Sequence, residues 1–444
     1  MGIKSLRKAF EGSMRNVHVS DFKGQVVAID VFAFLHRGAT GGERAMRFVR
    51  YGETDLAVKF ALRRVGMVLS NGLKPLLVFD GGSLPAKGET NEARQQKREE
   101  SKQRGDDLYA QGDVEGAIKA YSAAVAITAE TAAEVHRKAK EQWGDRVDFL
   151  VAPYEADAQL AHLARSGRCA LVITEDSDLI PFGVPRILFG LDRTGAAKLL
   201  VVAEIFTAPR GQNVYKGHDY CMQGWDFEML VLMCVLSGCD YVKLKNVGLA
   251  GAHNFVGRNR EMPRVLRALA RTSKLNVPAD YAALLDRAVM TFGHQTVFDR
   301  ALGMTCYLTP LSEAERARHA GALDFLGATL QPRVAVAIAR GEIHPRTHEP
   351  FAAPAPAPRR VLQPPVSPIL PRRRSRDEME ADEDDDDAYD EDDFWDEDDE
   401  DDDDTAPESF LRRKRRRAVF AAVVGASALA LGTVVVRVGC ALLP

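Results

Sequence analysis

Acidic side chains are concentrated in residues 151–180, a stretch that is otherwise largely apolar. Carboxylates beside buried segments cost several kcal/mol to desolvate unless a cation compensates their charge. A bound metal ion is therefore the first chemistry that this stretch predicts. Its acids are Glu155, Asp157, Glu175, Asp176 and Asp178.

Two further acids end short apolar runs elsewhere in the chain. Residues 25–30 end in Asp30 and residues 74–80 end in Asp80, and both runs have the composition of buried strands. Residues 54–72, between them, carry an apolar stripe at helical spacing. The three segments together predict a strand, helix, strand unit.

The same alternation recurs at residues 147–151 and 169–174. It predicts an α/β fold in which a mostly parallel central sheet is flanked by helices on both faces. Ligands of such sheets bind beyond the carboxyl ends of the strands, which is where Asp30, Asp80 and the acids of residues 176–178 fall. We therefore expect these acids to form one site.

Local spacing indicates which acids face that site. Asp176 and Asp178 are two residues apart, so in an extended chain both carboxylates point to the same side. Glu155 and Asp157 would diverge inside a helix, so we place Glu155 at the start of the helix, where its longer side chain reaches inward. Glu175 should point away from the site.

Residues 87–104 are polar or charged nearly throughout, which is typical of a solvated helix. Because they follow Asp80 closely, their basic side chains could instead reach a phosphate held at the strand ends. Residues 105–127 resemble a single tetratricopeptide helix pair without a second copy, and so predict a local helical hairpin. The basic side chains concerned are Lys87, Arg94, Lys97 and Arg98.

Residues 225–236 predict an apolar helix, which a glycine-containing turn joins to a new helix near Gly248. Such a turn offers backbone N–H groups to a phosphate and resembles a helix-hairpin-helix clamp on a nucleic-acid backbone. Cys234, Cys239 and His253 could be interpreted as zinc ligands, but their loose spacing favours core packing.

The charge of the chain is unevenly distributed. The net charge is only -4, but residues 377–404 hold 22 of the 63 Asp and Glu. The first 358 residues carry 46 Lys and Arg against 40 Asp and Glu, a net of +6, which favours a polyanionic partner. The six cysteines show neither a disulfide framework nor paired CxxC spacing, which predicts reduced thiols in a nuclear or cytosolic protein.

Composition changes sharply towards the C-terminus. We expect a Pro-rich linker at residues 346–376, an acidic disordered tail at 377–411 and a basic cluster at 412–417. Residues 418–436 are 19 residues without a charge, long enough to span a bilayer as a C-terminal membrane anchor. The alternative is a nuclear-localisation cluster followed by an Ala/Val-rich tail that does not insert.

Taken together, about the first 310 positions resemble the flap endonuclease and exonuclease 1 family of structure-specific 5′ nucleases, and its exonuclease 1 branch most. The matching segments are long and occur in the same order. They are VVAID, LHRGA, GETD, KPLLVFDGGSLPAK, LVAPYEADAQLAHL, ITEDSDLIPFG, LSGCDY, VPADY and VFD.

The resemblance implies a PIN-like 5′ nuclease core with a helical arch and a helix-hairpin-helix region. It divides the body into an N-terminal nuclease region at 1–104, a helical hairpin or arch at 105–140, an internal nuclease region at 141–236, and a helix-hairpin-helix region with C-terminal helices at 237–345.

The resemblance also implies roles for particular residues. Lys87 and Arg94 correspond to a catalytic basic pair that steers the scissile phosphate. Gly2 corresponds to a free amino terminus near the site, and His36 stands near the wedge that bends the duplex. We expect further DNA contacts from Lys97, Arg98, Lys243, Lys245 and Gly248. The implied metal ligands are Asp30, Asp80, Glu155, Asp157, Asp176, Asp178 and Asp240.

By this resemblance the chain would be a monomeric nuclear enzyme in DNA repair, recombination or replication. It would hydrolyse phosphodiesters with two Mg²⁺ ions, which Mn²⁺ could replace, since hard oxygen ligands select such ions. The implied activities are a 5′→3′ double-stranded DNA exonuclease and a 5′-flap endonuclease. The implied substrates are duplexes with nicks, gaps, 5′ ends or flaps, and repair or replication proteins could be partners.

The hairpin clamp departs from the family pattern. The family usually has glycine, a hydrophobic residue and glycine there, whereas this chain has Asn246 before Val247 and Gly248. Residues 242–245 also lack the small hydroxyl residue that helps relatives bind K⁺. We therefore expect no bound K⁺ and assign its positive charge to Lys243 and Lys245.

Two other classes of function compete with a nuclease. One is a non-catalytic binder of DNA junctions, in which seven intact acids would each be a useless desolvation cost. The other is a membrane-anchored acidic adaptor, in which the C-terminal tail carries the function.

Overall fold

The computed structural model describes residues 2–319 and 321–351. Most of the predicted Pro-rich linker, the acidic tail at 377–411, the basic cluster at 412–417 and the predicted anchor at 418–436 lie outside these residues. Within them, every helix is too short or too polar to cross a membrane.

Strands alternate with α-helices between residues 26 and 173, as the apolar runs predict. The strands are β1 Met14–His18, β2 Val26–Asp30, β3 Lys74–Phe79, β4 Asp148–Val151, β5 Leu171–Ile173, β6 Arg186–Phe189, β7 Ala196–Val201, β8 Val214–Tyr215, β9 His218–Asp219, β10 Thr296–Asp299 and β11 Met304–Tyr307.

The helices include a long α5 and a C-terminal group that follows the sheet. They are α1 Leu6–Ala9, α2 Val31–Thr40, α3 Glu43–Tyr51, α4 Asp55–Ser70, α5 Gly88–Ala110, α6 Val114–Ala124, α7 Ala129–Trp143, α8 Ala156–Arg165, α9 Val202–Ile205, α10 Phe227–Leu236, α11 Leu249–Asn259, α12 Met262–Ala270, α13 Tyr281–His294, α14 Glu313–Arg318 and α15 Pro332–Ala339.

The central sheet has seven strands in the order β1-β7-β6-β5-β2-β3-β4. Strands β6, β5, β2, β3 and β4 run parallel to their neighbours, whereas β7 is antiparallel to both β6 and β1. The prediction of a mostly parallel sheet flanked by helices is therefore confirmed. The five parallel strands place their carboxyl ends along one edge of the sheet, and four of these ends, those of β2, β3, β4 and β5, are followed by or end in predicted acids.

Side chains of the sheet alternate between two apolar layers. In β2, Val27 and Ile29 pack in the layer that contains α2, α4 and α7, whereas Ala28 packs in the layer that contains α8 and α10. The two layers follow from the period of two in a strand, because successive side chains point to opposite faces. Both faces are covered, as the continuous apolar runs predict.

The α5 helix is 23 residues long and therefore spans about 35 Å. It continues through residues 104 and 105, where the sequence suggested a boundary, so the helical hairpin begins at Gly88. A Cβ atom at Gly105 would lie 2.7 Å from the Tyr121 ring, so glycine lets α6 pack closely on α5. Tyr121 is fully buried in that contact, which matches the expected local hairpin.

Candidate active site

The carboxyl ends of four parallel strands deliver six of the predicted acids to one edge of the sheet. Asp30 is the last residue of β2, Asp80 follows β3 directly, and the residues after β4 and β5 supply the others. The seventh acid, Asp240, follows α10 and is held at the edge by α5. Thr90 at the start of α5 donates its hydroxyl to the Asp240 carbonyl at 2.6 Å.

Asp30 and Asp80 are held by neighbouring donors and repel one another. The two Asp30 oxygens accept the Ala33 N–H at 3.2 Å and the Thr174 hydroxyl at 2.8 Å, and Asp80 accepts the Ala156 N–H at 2.7 Å. Burial and the Asp80 charge raise the pKa of Asp30 to about 7. Burial raises the pKa of Asp80 to about 6, with the Glu155 charge adding to it.

The segment after β5 is not extended, and the extended geometry predicted for Asp176 and Asp178 is wrong. Residues Ser177–Leu179 form a 3-10 turn, because the Asp176 carboxylate accepts the Asp178 N–H at 2.8 Å and caps it. Both carboxylates nevertheless lie beside Gly2, where an added Cβ would meet Asp176 and would lie 2.7 Å from Asp178 Oδ1. Gly2 therefore lies next to Asp176 and Asp178, and its role at the site stays a prediction.

Glu155 is the residue before the first turn of α8, as its spacing from Asp157 predicts. Its Oε2 atom accepts the Tyr241 hydroxyl at 2.7 Å and the Gln295 amide at 3.0 Å, while Oε1 pairs with Lys87. Asp157 lies in the first turn, where burial and the Asp176 charge raise its pKa well above the ordinary value. Burial and Asp176 likewise raise the pKa of Asp178.

The predicted basic pair lies among these acids. Lys87 Nζ is 2.9 Å from Asp240 and also pairs with Glu155, and Arg94 is 2.5 Å from the other Asp240 oxygen. Burial alone would raise the pKa of Asp240, but Lys87 and Arg94 outweigh it and lower that pKa. The acidic neighbours of Lys87 similarly outweigh its burial and hold its pKa well above the ordinary value.

The other residues predicted to contact DNA lie on α2, on α5 and in the segment before α11. His36 is partly exposed on α2, and burial of its ring lowers its pKa to about 4, with Arg98 contributing. Lys243 and Lys245 are exposed on either side of buried Leu244, and Gly248 directly precedes α11. Lys97 is exposed on α5.

The zinc interpretation of the cysteines gains no support. His253 shares a hydrogen bond of 3.0 Å with His218 and stacks on Trp225. Burial raises the pKa of Cys234 and raises that of Cys239 to about 12, as expected for packed thiols. Core packing therefore accounts for these residues.

Glu175 points away from the site, as predicted, and has a structural role. It accepts the Gly190 N–H at 3.0 Å and forms ion pairs with Arg7 at 2.8 Å and Arg37 at 3.5 Å. It thereby joins α1 and α2 to the residue after β6. This buried pairing explains how a charge is tolerated directly before Asp176.

Sequence reasoning missed two residues that touch Glu155. Tyr241 is adjacent to Asp240, so its place beside the acids could have been inferred from that neighbour. Gln295 is 140 residues from Glu155 in sequence, and nothing in its local sequence indicates the contact.

The acids suit divalent cations in chemistry and charge. Their donors are all carboxylate oxygens, which Mg²⁺ and Mn²⁺ prefer. Asp30, Asp80, Asp157 and Asp178 carry charge that burial and mutual repulsion make costly, and a divalent cation would stabilise it. As placed, however, no three His, Cys, Asp or Glu side chains of the described residues converge closely enough to hold one ion. The ligand assignment thus stays a prediction.

Comparison with known families matches two parts of the chain. Residues 1–101 match the XPG N-terminal domain, and residues 146–240 match the XPG I-region. The two matched regions contain all seven predicted acids. They leave most of α5 to α7 between them.

Curated relatives match most of the described residues. Exonuclease 1 of Oryza sativa subsp. japonica is 35% identical over 353 residues, which cover 79% of this chain and 40% of the relative. Exonuclease 1 of Arabidopsis thaliana is 34% identical over 354 residues, which cover 80% of this chain and 46% of the relative. The chain thus spans less than half the length of these two relatives.

Among solved structures, flap endonuclease-1 from Methanococcus jannaschii is similar at 18% identity with a TM-score of 0.41. The similarity covers 64% of this chain and 83% of that chain. At this level the fold assignment rests on the strand order described above.

Proposed function

Since the chain belongs to the flap endonuclease and exonuclease 1 family, we propose that it is a metal-dependent 5′ nuclease acting on double-stranded DNA. One observation carries the proposal: four parallel strand ends bring acids to one edge of the sheet, where Lys87 pairs with Glu155 and Asp240 and Arg94 pairs with Asp240. A site with excess carboxylates and two cations suits a phosphodiester and divalent ions together. The proposed activities are 5′→3′ exonuclease and 5′-flap endonuclease.

The seven acids would hold two Mg²⁺ or Mn²⁺ ions. Bound ions supply an activated water and neutralise charge on the leaving oxygen. Asp30 and Asp178 are held by donors that are neutral backbone or hydroxyl groups, which compensate a carboxylate charge less than a cation would. These carboxylates bind the ions, and the neighbouring helix and turn fix their orientation.

Lys87 and Arg94 would bind the scissile phosphate. Both side chains come from residues at the start of α5, which the Thr90 hydrogen bond fixes against the Asp240 carbonyl. Arg94 is 48% exposed at its side chain, so a phosphate can approach it from solvent. In the proposed complex the phosphate shares these cations with Asp240, and they stabilise the charge that develops on it.

The duplex would lie across the turn before α11. Lys243 and Lys245 are exposed there, and the N-terminus of α11 at Gly248 offers backbone N–H groups to a phosphate. These two lysines supply positive charge where relatives use K⁺, so the proposed clamp does not need that ion. Gly2, His36, Lys97 and Arg98 belong to the proposed DNA path on the side of α2 and α5.

The wider role follows from the family. Nicked, gapped, recessed or flapped duplexes are the proposed substrates, and repair, recombination or replication in the nucleus is the proposed setting. The nuclease core is proposed to act as a monomer. Residues 418–436 are proposed to attach it to a membrane through the C-terminal segment.

The test is cleavage of two labelled duplexes, one with a 5′ flap and one with a recessed 5′ end, in Mg²⁺. We expect both to be cut by the full chain and neither by Asp178→Ala at matched concentration. Because Asp178 also accepts the Ile3 N–H at 2.8 Å, thermal unfolding of the variant must be measured alongside. Tight DNA binding without cleavage by the wild type would favour the non-catalytic junction binder, and neither binding nor cleavage would favour the acidic adaptor.

A further inference from the structure

Gln295 lies between α13 and β10, fully buried beside Glu155. Its side-chain Nε2 donates to Glu155 Oε2 at 3.0 Å, and Leu308 donates its N–H to the Gln295 carbonyl at 2.9 Å. The backbone bond joins Gln295 to the β10–β11 hairpin, so the amide is presented to Glu155 from a fixed position. This contact is separate from the one that Tyr241 makes.

Glu155 uses its two oxygens differently. Oε2 accepts both neutral donors, Tyr241 and Gln295, whereas Oε1 pairs with Lys87. The two donors therefore fix the carboxylate with Oε1 turned towards the cationic group of the site. Burial and the Glu155 charge keep the pKa of Tyr241 well above its ordinary value, so its hydroxyl remains a donor.

The orientation of the Gln295 amide is determined by Glu155. Turning the amide over would place its carbonyl oxygen against a carboxylate oxygen, which is repulsive. In the observed orientation Gln295 Oε1 is buried and accepts no hydrogen bond from the described residues. A buried acceptor without a donor is unfavourable, so an apolar side chain of similar size would suit fold stability better.

Gln159 shows what a purely structural glutamine looks like in the same region. It is also fully buried, but both ends of its amide are satisfied by the Phe298 backbone, at 3.0 Å to the carbonyl and 2.8 Å from the N–H. Gln159 therefore joins α8 to β10 without touching a predicted metal ligand. Gln295 differs because the one hydrogen-bonded atom of its side chain is committed to Glu155.

We propose that Gln295 is a positioning residue that orients Glu155 for binding a divalent cation. The inference rests on the proposed function, in which Glu155 is a metal ligand. Without the amide, Glu155 would keep only Tyr241 on Oε2 and could rotate both oxygens towards Lys87. Partners that orient a metal ligand typically change metal affinity by about 10- to 100-fold.

The test compares Gln295→Met with Gln159→Met in the full chain. Binding of Mn²⁺ is measured by calorimetry without DNA, and Tm is measured for each protein without metal. We expect Gln295→Met to weaken Mn²⁺ binding by roughly 10-fold with little loss of Tm. Gln159→Met should lower Tm and leave Mn²⁺ binding near the wild-type value. Unchanged Mn²⁺ affinity in Gln295→Met would overturn the inference, as would equal weakening in both variants.

A second pair of variants covers the case in which Gln295→Met does not fold. Gln295→Asn keeps an amide but shortens it by one methylene, and Tyr241→Phe removes the other donor to the same oxygen. Each should raise the Mg²⁺ concentration for half-maximal cleavage while preserving most of kcat at saturating Mg²⁺. A loss of kcat alone would contradict a positioning role.

Failure of this inference and failure of the proposed function give different results. A wild type that cleaves DNA and binds Mn²⁺, with Gln295 variants that match it, overturns the role of Gln295 only. A wild type that neither cleaves DNA nor binds Mn²⁺ overturns the proposed function and the inference with it.

Discussion

Replacing Asp30 by asparagine should stabilise the metal-free protein, and more so at high pH. The pKa of Asp30 is about 7 in the folded protein against an ordinary value of 3.8, because the group is buried and lies near Asp80. The folded state therefore binds more protons than the unfolded state between these pH values, and stability falls as the pH rises through that window. Asparagine has nearly the same shape and carries no charge.

The magnitude follows from that pKa. Relative to a neutral side chain, the raised pKa of Asp30 destabilises the folded protein by roughly 4 kcal/mol at pH 8 but by only about 2 kcal/mol at pH 5, where Asp30 is ionised only in the unfolded chain. Asparagine can still accept the Ala33 N–H through its carbonyl and can donate to the Thr174 hydroxyl. We therefore expect Asp30→Asn to raise the free energy of unfolding at both pH values, with a gain about 2 kcal/mol larger at pH 8.

The assay is urea unfolding in EDTA at pH 5, 6, 7 and 8, with Asp240→Asn as the matched control. Lys87 and Arg94 lower the pKa of Asp240 against the opposing effect of burial, so Asp240 contributes stability that is lost only as the pH falls through that lowered pKa. Asp240→Asn should therefore destabilise the protein by a similar amount at every pH tested. A gain for Asp30→Asn that does not change with pH, or a loss at pH 8, would refute the reasoning. Saturating Mg²⁺ should shrink the gain, because the ion compensates the same charge.

Three further outcomes are expected. In the proposed clamp, Lys243 and Lys245 supply positive charge in place of K⁺. Nuclease activity should therefore fall less than in relatives when K⁺ is replaced by Na⁺ at constant ionic strength, and an equal or larger drop would contradict this. On the hypothesis that the 22 acids of residues 377–404 compete with DNA for the net positive first 358 residues, deleting 377–404 should tighten DNA binding at low salt. Unchanged affinity in a binding titration would exclude such competition. Gly2→Ala should lower the cleavage rate by more than about 10-fold and the free energy of unfolding by about 1–3 kcal/mol. The added methyl group would meet Asp178, and residue 2 has a φ of +87°, which is strained for alanine. Wild-type kinetics and Tm would show that the N-terminal segment shifts freely.

The acids at strand ends were predictable because a parallel sheet constrains them strongly. An apolar run that ends in an acid can bury both strand faces only if the acid lies at the carboxyl edge, as Asp30 and Asp80 do. Glu155 was also predictable, because a spacing of two residues cannot direct two carboxylates inward from one regular helix. These inferences need only local spacing and the direction of the chain.

The remaining features depend on contacts between distant segments. The turn at Ser177–Leu179 forms because the Asp176 carboxylate accepts the Asp178 N–H. Two acids separated by one residue also occur in extended strands, so their spacing alone does not distinguish a turn from a strand. The antiparallel pairing of β7 with β1 depends on which edge the N-terminal segment reaches. The Gln295 contact exists only because the β10–β11 hairpin packs beside α8, which no local pattern encodes.

The charge balance of the site could not be predicted from the number of acids, because it depends on where α5 places its cations. Lys87 and Arg94 pair with Asp240, so Asp240 ionises readily. Asp30 is held by neutral donors, so its ionisation is costly. Seven acids of one chemical type thus form a compensated side next to α5 and an uncompensated side at β2 and β5. Divalent cations gain most on the uncompensated side, where burial and neighbouring carboxylates outweigh the more distant charge of Lys87. The same asymmetry gives Asp30→Asn and Asp240→Asn opposite effects on stability, although both remove one carboxylate from the same site.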